Sequence, residues 1–149
     1  MLSKPILTCV ILTFNHKDNI AKCIKSIVNQ KTSYPYVIHI WDDCSTDGTS
    51  EICQKYAQKY PEKIKLFLQP ENTFCKPYEE TQSFKSMQNI DTKYFSIIEG
   101  DDNWCDENKI QTAIEFLESH PEYSGWASDT KQIESNSISE NQFEFSGNS

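Results

Sequence analysis

Apolar and polar residues follow two rhythms that take turns along this chain. A continuous β-rich apolar run over residues 6–14, with Thr8, Cys9 and Thr13 inside it, reads as a strand covered on both faces. Residues 18–29 then carry Ile20, Cys23, Ile24, Ile27 and Val28 at helical spacing. A second strand is expected over residues 36–41. Residues 49–60 return to the helical stripe through Ile52, Cys53, Tyr56 and Ala57, and Pro61 stops it. A third strand over 64–69, a loop over 70–77 and a weaker helix over 78–90, with Phe84, Met87 and Ile90 on one side, come next. The fourth strand spans 94–99, and 108–119 form an amphipathic helix through Ile110, Ala113, Ile114 and Leu117. Residues 123–128 read as a fifth strand.

Strands alternating with helices imply right-handed βαβ units, so the expected fold class is α/β, a Rossmann-like three-layer sandwich with a mostly parallel sheet. One domain is expected over residues 5–130. Residues 134–149 are rich in Ser, Asn and Glu and offer only Ile138, Phe143 and Phe145 for burial. The stretch 131–149 is therefore expected to be a weakly structured or truncated tail.

Two acidic pairs change the picture. The second strand runs into Asp42-Asp43 and the fourth into Glu99-Gly100-Asp101-Asp102-Asn103-Trp104. Adjacent carboxylates repel, and burying them without partners costs several kcal/mol. At the carboxyl ends of strands in an open α/β sheet they suggest one shared acidic site for a cation or for hydroxyls. Asp47-Gly48-Thr49 is also the end of the D-x-D-G-T pattern of aspartyl-phosphate hydrolases, but there the nucleophile follows the first strand directly. A receiver domain likewise carries its acidic pair after the first strand, whereas this pair follows the second. Thr13 and Asn15 can cap the helix that follows or line a ligand pocket, and Asp18 is a candidate N-cap. Ser45, Thr46 and Asp47 fit turn and cap positions. His16 and His39 read as structural or exposed, and Trp104 as either a pocket floor or a hydrophobic anchor.

Composition narrows the partners. The 149 residues carry a net charge of -8, and 37% of them are hydrophobic. The acidic balance argues against nucleic-acid binding. Every basic residue is lysine, so no guanidinium is present to clamp phosphate. The six cysteines form no C-x-x-C pair and the three histidines are scattered, which fits buried free thiols better than zinc. The opening apolar run is too short to span a membrane. A cytoplasmic protein is expected, with membrane-surface association only through other segments.

Three ordered motifs carry a resemblance. Val10-Ile11-Leu12-Thr13-Phe14-Asn15, then Asp42-Asp43-Cys44-Ser45-Thr46-Asp47-Gly48-Thr49, then Glu99-Gly100-Asp101-Asp102-Asn103-Trp104 resemble family 2 glycosyltransferases of the GT-A fold. The usual second motif has glycine where this chain has Cys44. The resemblance covers about residues 5–129. It implies a nucleotide site formed by Thr13, Phe14, Asn15, Asp43, Lys76 and Asp101, with Asp43 accepting from a uracil-like imide and Asp101 on the ribose. It implies that Asp102 binds a divalent metal, Mn2+ or Mg2+, which neutralises the departing diphosphate.

The activity it implies is inverting transfer of a sugar from a nucleotide-diphosphate donor, a UDP-sugar, to a glycan or lipid-linked acceptor in cell-surface polysaccharide synthesis. An inverting transfer also needs a general base. In the resembled family that base lies in a second half with the acceptor surface, so it is expected beyond residue 149; Glu134, Glu140 and Glu144 lack the family's local pattern. A catalytically inactive nucleotide-binding module and a metal-dependent hydrolase of simple phosphate esters stand as alternatives.

Overall fold

Four of the expected strands form one parallel sheet in the order β3-β2-β1-β4. They are β1 (Leu7–Thr13), β2 (Tyr36–Asp42), β3 (Ile64–Leu68) and β4 (Tyr94–Glu99). The computed structural model describes residues 4–134 and 137–139. The chain divides into two compact units, one ending at Ile114 and the other beginning at Glu115. The sheet belongs to the first.

Successive side chains of a strand point to opposite faces, and both faces of the central strands are covered. On one face Leu7, Cys9 and Ile11 of β1 and Tyr36, Ile38 and Ile40 of β2 share a core with helix α1 (Ile20–Val28). Cys53 of α2 (Thr49–Lys59) and Ile110 and Ile114 of α4 (Lys109–Ser119) belong to the same core. Ile20, Ile24 and Ile27 are fully buried, each contributing roughly 1.5–3 kcal/mol relative to exposure. On the other face Val10, Leu12 and Trp41 pack with Phe67 and Ile90, and the Trp41 and Phe67 rings stack at 4.1 Å. Helix α3 (Gln82–Gln88) contacts β1 and β2. β1 and β2 are buried at every position, as a doubly covered strand must be.

Several local expectations are corrected. Helix α1 starts at Ile20, and Asp18 is exposed rather than capping it. The His16 carbonyl accepts from the amides of Asn19 (3.0 Å) and Ile20 (2.8 Å), so the helix start is closed by backbone. The helix expected over 78–90 splits into a 3-10 turn (Tyr78–Glu80) and α3. Thr81 between them is extended, and its Oγ1 accepts from Phe84 N at 3.2 Å as the cap of α3. Strand β4 lies at the sheet edge, with Phe95 50% and Ile97 46% exposed, because α3 packs over β1 and β2 and no further strand pairs with β4 among the described residues.

In the second unit, residues 123–128 form no strand. The Tyr123 amide donates to the His120 carbonyl (3.0 Å) in a turn after α4, and its ring lies 5.5 Å from that of Phe116. Further on, β5 (Gln132–Glu134) and β6 (Ser137–Ser139) pair antiparallel, with Ile133 opposite Ile138. Within the stretch 131–149, residues 135, 136 and 140–149 lie outside the described residues, and with them Glu140, Phe143, Glu144 and Phe145. Among the described residues no helix is long and apolar enough to cross a membrane.

His39 is the one imidazole buried in the sheet, 2% exposed, edge-on to Phe67 at 5.3 Å. Burial holds its pKa below the ordinary 6.5, Lys65 adds to this, and Asp91 partly opposes it. The unfolded chain takes up a proton at His39 below about pH 6.5 and the folded chain resists it, so this contribution is complete above that pH and is lost as pH falls. His39→Leu should flatten the loss of stability between about pH 7 and pH 5.5 in urea unfolding; an unchanged acid slope would exclude His39 as its source.

Candidate functional site

The register of the sheet brings three strand ends to one level. Thr13 of β1 stands opposite Asp42 of β2, and Leu12 opposite Glu99 of β4. Just past the strands, Asp43 N donates to the Thr13 carbonyl (2.9 Å) and Gly100 N to the Leu12 carbonyl (2.8 Å). The end of β1 is therefore flanked by both acidic segments, in the crevice where open α/β sheets take ligands.

The two acids of the first pair differ. Asp42, 1% exposed, accepts from Ser45 N (3.3 Å), Ser45 Oγ and Ser50 Oγ. It holds the β2–α2 loop onto its own strand. Asp43, 3% exposed, turns the other way and accepts from the amide and hydroxyl of Thr73 in the β3–α3 loop. Asn72 Nδ2 also reaches the Asp43 carbonyl at 3.2 Å.

Asn15, at φ +54°, laces the first two loops together. Its amide donates to Ser45 Oγ (2.9 Å), and its Oδ1 accepts from Thr46 N (2.8 Å). Asn tolerates this left-handed conformation better than most side chains. Asp47 accepts from Thr49 N (3.0 Å), Thr49 Oγ1 (2.6 Å) and Lys17 N (3.1 Å), and thereby serves the start of α2. Desolvation raises its carboxyl, and these hydrogen bonds outweigh that and hold it below the usual range.

Beside them, Thr13 Oγ1 lies 3.1 Å from His16 Nδ1, and His16 Nε2 lies 3.8 Å from Asp101 Oδ2. Gly100 makes this closeness possible. A Cβ there would sit 2.5 Å from Thr13 Oγ1 and 2.8 Å from His16 Nδ1. Asp101 and Asp102 are exposed. Partial burial and then the neighbouring Asp101 push Glu99 above the usual carboxyl range; His16 opposes this and Asp102 adds to it. Negative charge is thus concentrated at the end of β4. Among the described residues no three His, Cys, Asp or Glu side chains group to hold a metal. The adjacent exposed carboxylates do fit a hard cation that takes one or two protein oxygens and fills its shell with water and phosphate.

The remaining candidates are spread over the rim loops. Phe14 is 40% exposed at the end of β1. Lys76 pairs with Glu71 at 3.1 Å in the β3–α3 loop. Trp104 packs against the core of the first face, and its amide donates to Ser26 Oγ (3.1 Å), so it anchors the chain leaving the acids. The structure also brings to the rim Thr73, which the sequence does not single out, and His16, which the sequence reads as structural or exposed. His16 follows the first motif directly, which was a usable cue; Thr73 is brought to Asp43 only by the path of a loop.

Two backbone constraints at the rim are testable. Cys44 sits at φ +66°, which explains why glycine is usual at this place in the motif. Cys44→Gly should raise stability by about 0.5–1 kcal/mol in urea unfolding, relief of strain exceeding the added chain entropy, whereas a lowered midpoint would show that no strain is stored there. Gly100→Ala should cost about 1–3 kcal/mol through overpacking against Thr13. Gly125→Ala, whose Cβ meets nothing within 4 Å, is its control, and equal effects of the two would refute the packing argument.

Residues 8–145 match the model of Glycosyl transferase family 2. The chain is 29% identical over 114 residues to the Bacillus subtilis glycosyltransferase TuaG, assigned to teichuronic acid biosynthesis, covering 76% of this chain and 42% of that protein. It superposes on the mannosyltransferase PcManGT from Pyrobaculum calidifontis, solved with GDP-Man and Mn2+, with TM-score 0.64 and 20% identity, over 78% of this chain and 33% of that one. Against residues 1–349 of S. aureus TarS with UDP-GlcNAc the TM-score is 0.65 at 20% identity, over 77% and 32% of the two chains. The chain spans 32% of the length of one curated relative from Mycobacterium and 42% of that of TuaG. With the family model covering nearly the whole chain and the parallel sheet superposing on GT-A enzymes, the chain belongs to the family 2 glycosyltransferases.

Proposed function

We propose that this chain binds the donor in an inverting glycosyltransferase that moves a sugar from a nucleoside diphosphate, a UDP-sugar, to a glycan or lipid-linked acceptor in cell-surface polysaccharide synthesis. The observation that carries the reading is the common rim, where β1, β2 and β4 end side by side, Thr13, Asp43 and Gly100 meet just there, and the exposed acids Asp101 and Asp102 come next in line. The donors in the two structural neighbours, GDP-Man and UDP-GlcNAc, are both nucleoside diphosphate sugars, and the assignment of TuaG to teichuronic acid biosynthesis supports a polysaccharide product.

In this reading Asp43 accepts a hydrogen bond from the base, with Thr13, Phe14 and Asn15 around it. Asp101 takes the ribose hydroxyls, whose donors suit an exposed carboxylate. Lys76 supplies a cation to the phosphates or the base from the β3–α3 loop. Asp102 holds a manganese or magnesium ion, which neutralises the charge that develops on the diphosphate as the glycosidic bond breaks. Carboxylates alone would repel that leaving group, and the chain has no arginine to do the same work. Association with a membrane surface belongs to the same proposal, through segments other than the described ones.

Calorimetric titration of UDP with and without Mn2+ tests the reading. UDP should bind more tightly with the metal, and Asp102→Asn should remove most of that gain, at least about tenfold, while leaving metal-free binding nearly unchanged. Metal-independent binding, or a gain that survives Asp102→Asn, would refute the assignment.

A further inference from the structure

Thr73 holds Asp43 through its amide and its hydroxyl, and both residues are 3% exposed. Its amide donates to Asp43 Oδ1 (3.0 Å) and Oδ2 (2.9 Å), and its hydroxyl lies 2.7 Å from Oδ1. A further bond comes from behind, where Gln82 N, the first amide of α3, donates to Thr73 Oγ1 at 2.9 Å. That bond sets a direction. A backbone N–H can only donate, so it occupies a lone pair of the hydroxyl, and the hydroxyl hydrogen is left to point at Asp43 Oδ1. A carboxylate offers about four acceptor positions. Among the described residues the single Thr73 N–H is shared between the two oxygens and the hydroxyl takes a position on Oδ1, so the outer side of Oδ2 remains to accept.

We infer that Thr73 is a positioning residue for donor recognition: it fixes Asp43 as an acceptor that offers Oδ2 in one orientation, so that the site selects bases presenting a ring N–H and rejects those presenting a ring nitrogen lone pair. This rests on the donor reading of Asp43 given above. Uracil, thymine and guanine carry such an N–H beside a carbonyl. Cytosine presents a bare ring nitrogen at the same place, and facing the carboxylate it would set lone pair against lone pair. A carboxylate free to rotate could offer another edge or admit water; one held by both an amide and a hydroxyl cannot adapt. Selection therefore depends on Thr73 as much as on Asp43, although Thr73 acts only through it.

The experiment measures UDP and CDP affinities in Mn2+ for the wild-type chain, Thr73→Val, Thr73→Ser, Gln82→Pro, Gln82→Ala and Asp43→Asn, with thermal unfolding of each. The wild type should prefer UDP by at least about tenfold. Thr73→Val, which keeps the shape and removes the hydroxyl, should lose about tenfold of that preference, and Thr73→Ser should restore it. Gln82→Pro leaves Thr73 intact, suits the first position of a helix, and removes the amide that orients the hydroxyl together with the Gln82 side chain, for which Gln82→Ala is the control; it should cost about threefold in preference where Gln82→Ala does not. A merely structural role would weaken both nucleotides alike and leave their ratio unmoved. An unchanged ratio in both Thr73→Val and Gln82→Pro, or tighter UDP binding by Thr73→Val, would overturn the inference, the latter because the clasp would then compete with the base. Asp43→Asn separates the two levels. If it leaves the ratio unchanged the base-reading role of Asp43 itself fails, whereas a ratio that responds to Asp43→Asn but not to the Thr73 and Gln82 variants overturns only the role of Thr73.

Discussion

The hydrogen bonds that β1 makes to the strands on either side hold the acidic segments at one level. Thr13 and Leu12 offer the carbonyls on which Asp43 and Gly100 end their strands. A shift of one residue in either pairing would carry every side chain of that strand to the opposite face. Ile38 and Ile40 would then leave the core beneath α1 and α2, so the apolar core and the polar rim enforce the same register. Individual backbone hydrogen bonds are worth about 1 kcal/mol net, and burial on both faces is what makes the register costly to change.

Above that level the loops secure one another. Asn15 ties the β1–α1 loop to Ser45 and Thr46, Asp42 draws Ser45 and Ser50 down, and Asp43 holds the β3–α3 loop through Thr73. Of the acids that begin as two pairs, Asp42 is given over to loop structure and Asp101 and Asp102 are left to solvent. The difference follows from neighbours: serines surround Asp42, while Gly100 and Asn103 flank the second pair.

Where apolar spacing and burial coincide, the fold was legible in the sequence. The stripe of Ile20, Cys23, Ile24 and Ile27 is the buried face of α1, and the unbroken run in β1 is buried throughout. The amphipathic pattern through Ile110 and Ile114 likewise marks α4. The misreadings share a physical cause, since each depends on what lies opposite the segment. Phe95 and Ile97 lie in an apolar strand yet are half exposed, and only the strand order reveals that β4 is an edge. Thr81 breaks a helix by its own cap, and Tyr123 finds aromatic rings before it finds a strand. Within the site, Asp43 and Asp102 could be singled out because acids at strand ends are unusual. Thr73 could not, because a threonine in a loop carries no such signal and its place beside Asp43 is set by a contact between residues 30 apart in the chain.

The thiols divide along the same architecture. Cys9, Cys23 and Cys53 are buried beneath the helices, and burial pushes Cys23 and Cys53 up to about 12, so thiolate chemistry is closed to them. Cys44, Cys75 and Cys105 are the accessible ones, and each follows a different strand, β2, β3 and β4 in turn. Oxidants and alkylating reagents will therefore report on the loops around the rim while the interior stays silent, giving the native chain its own set of labelling points without an engineered cysteine.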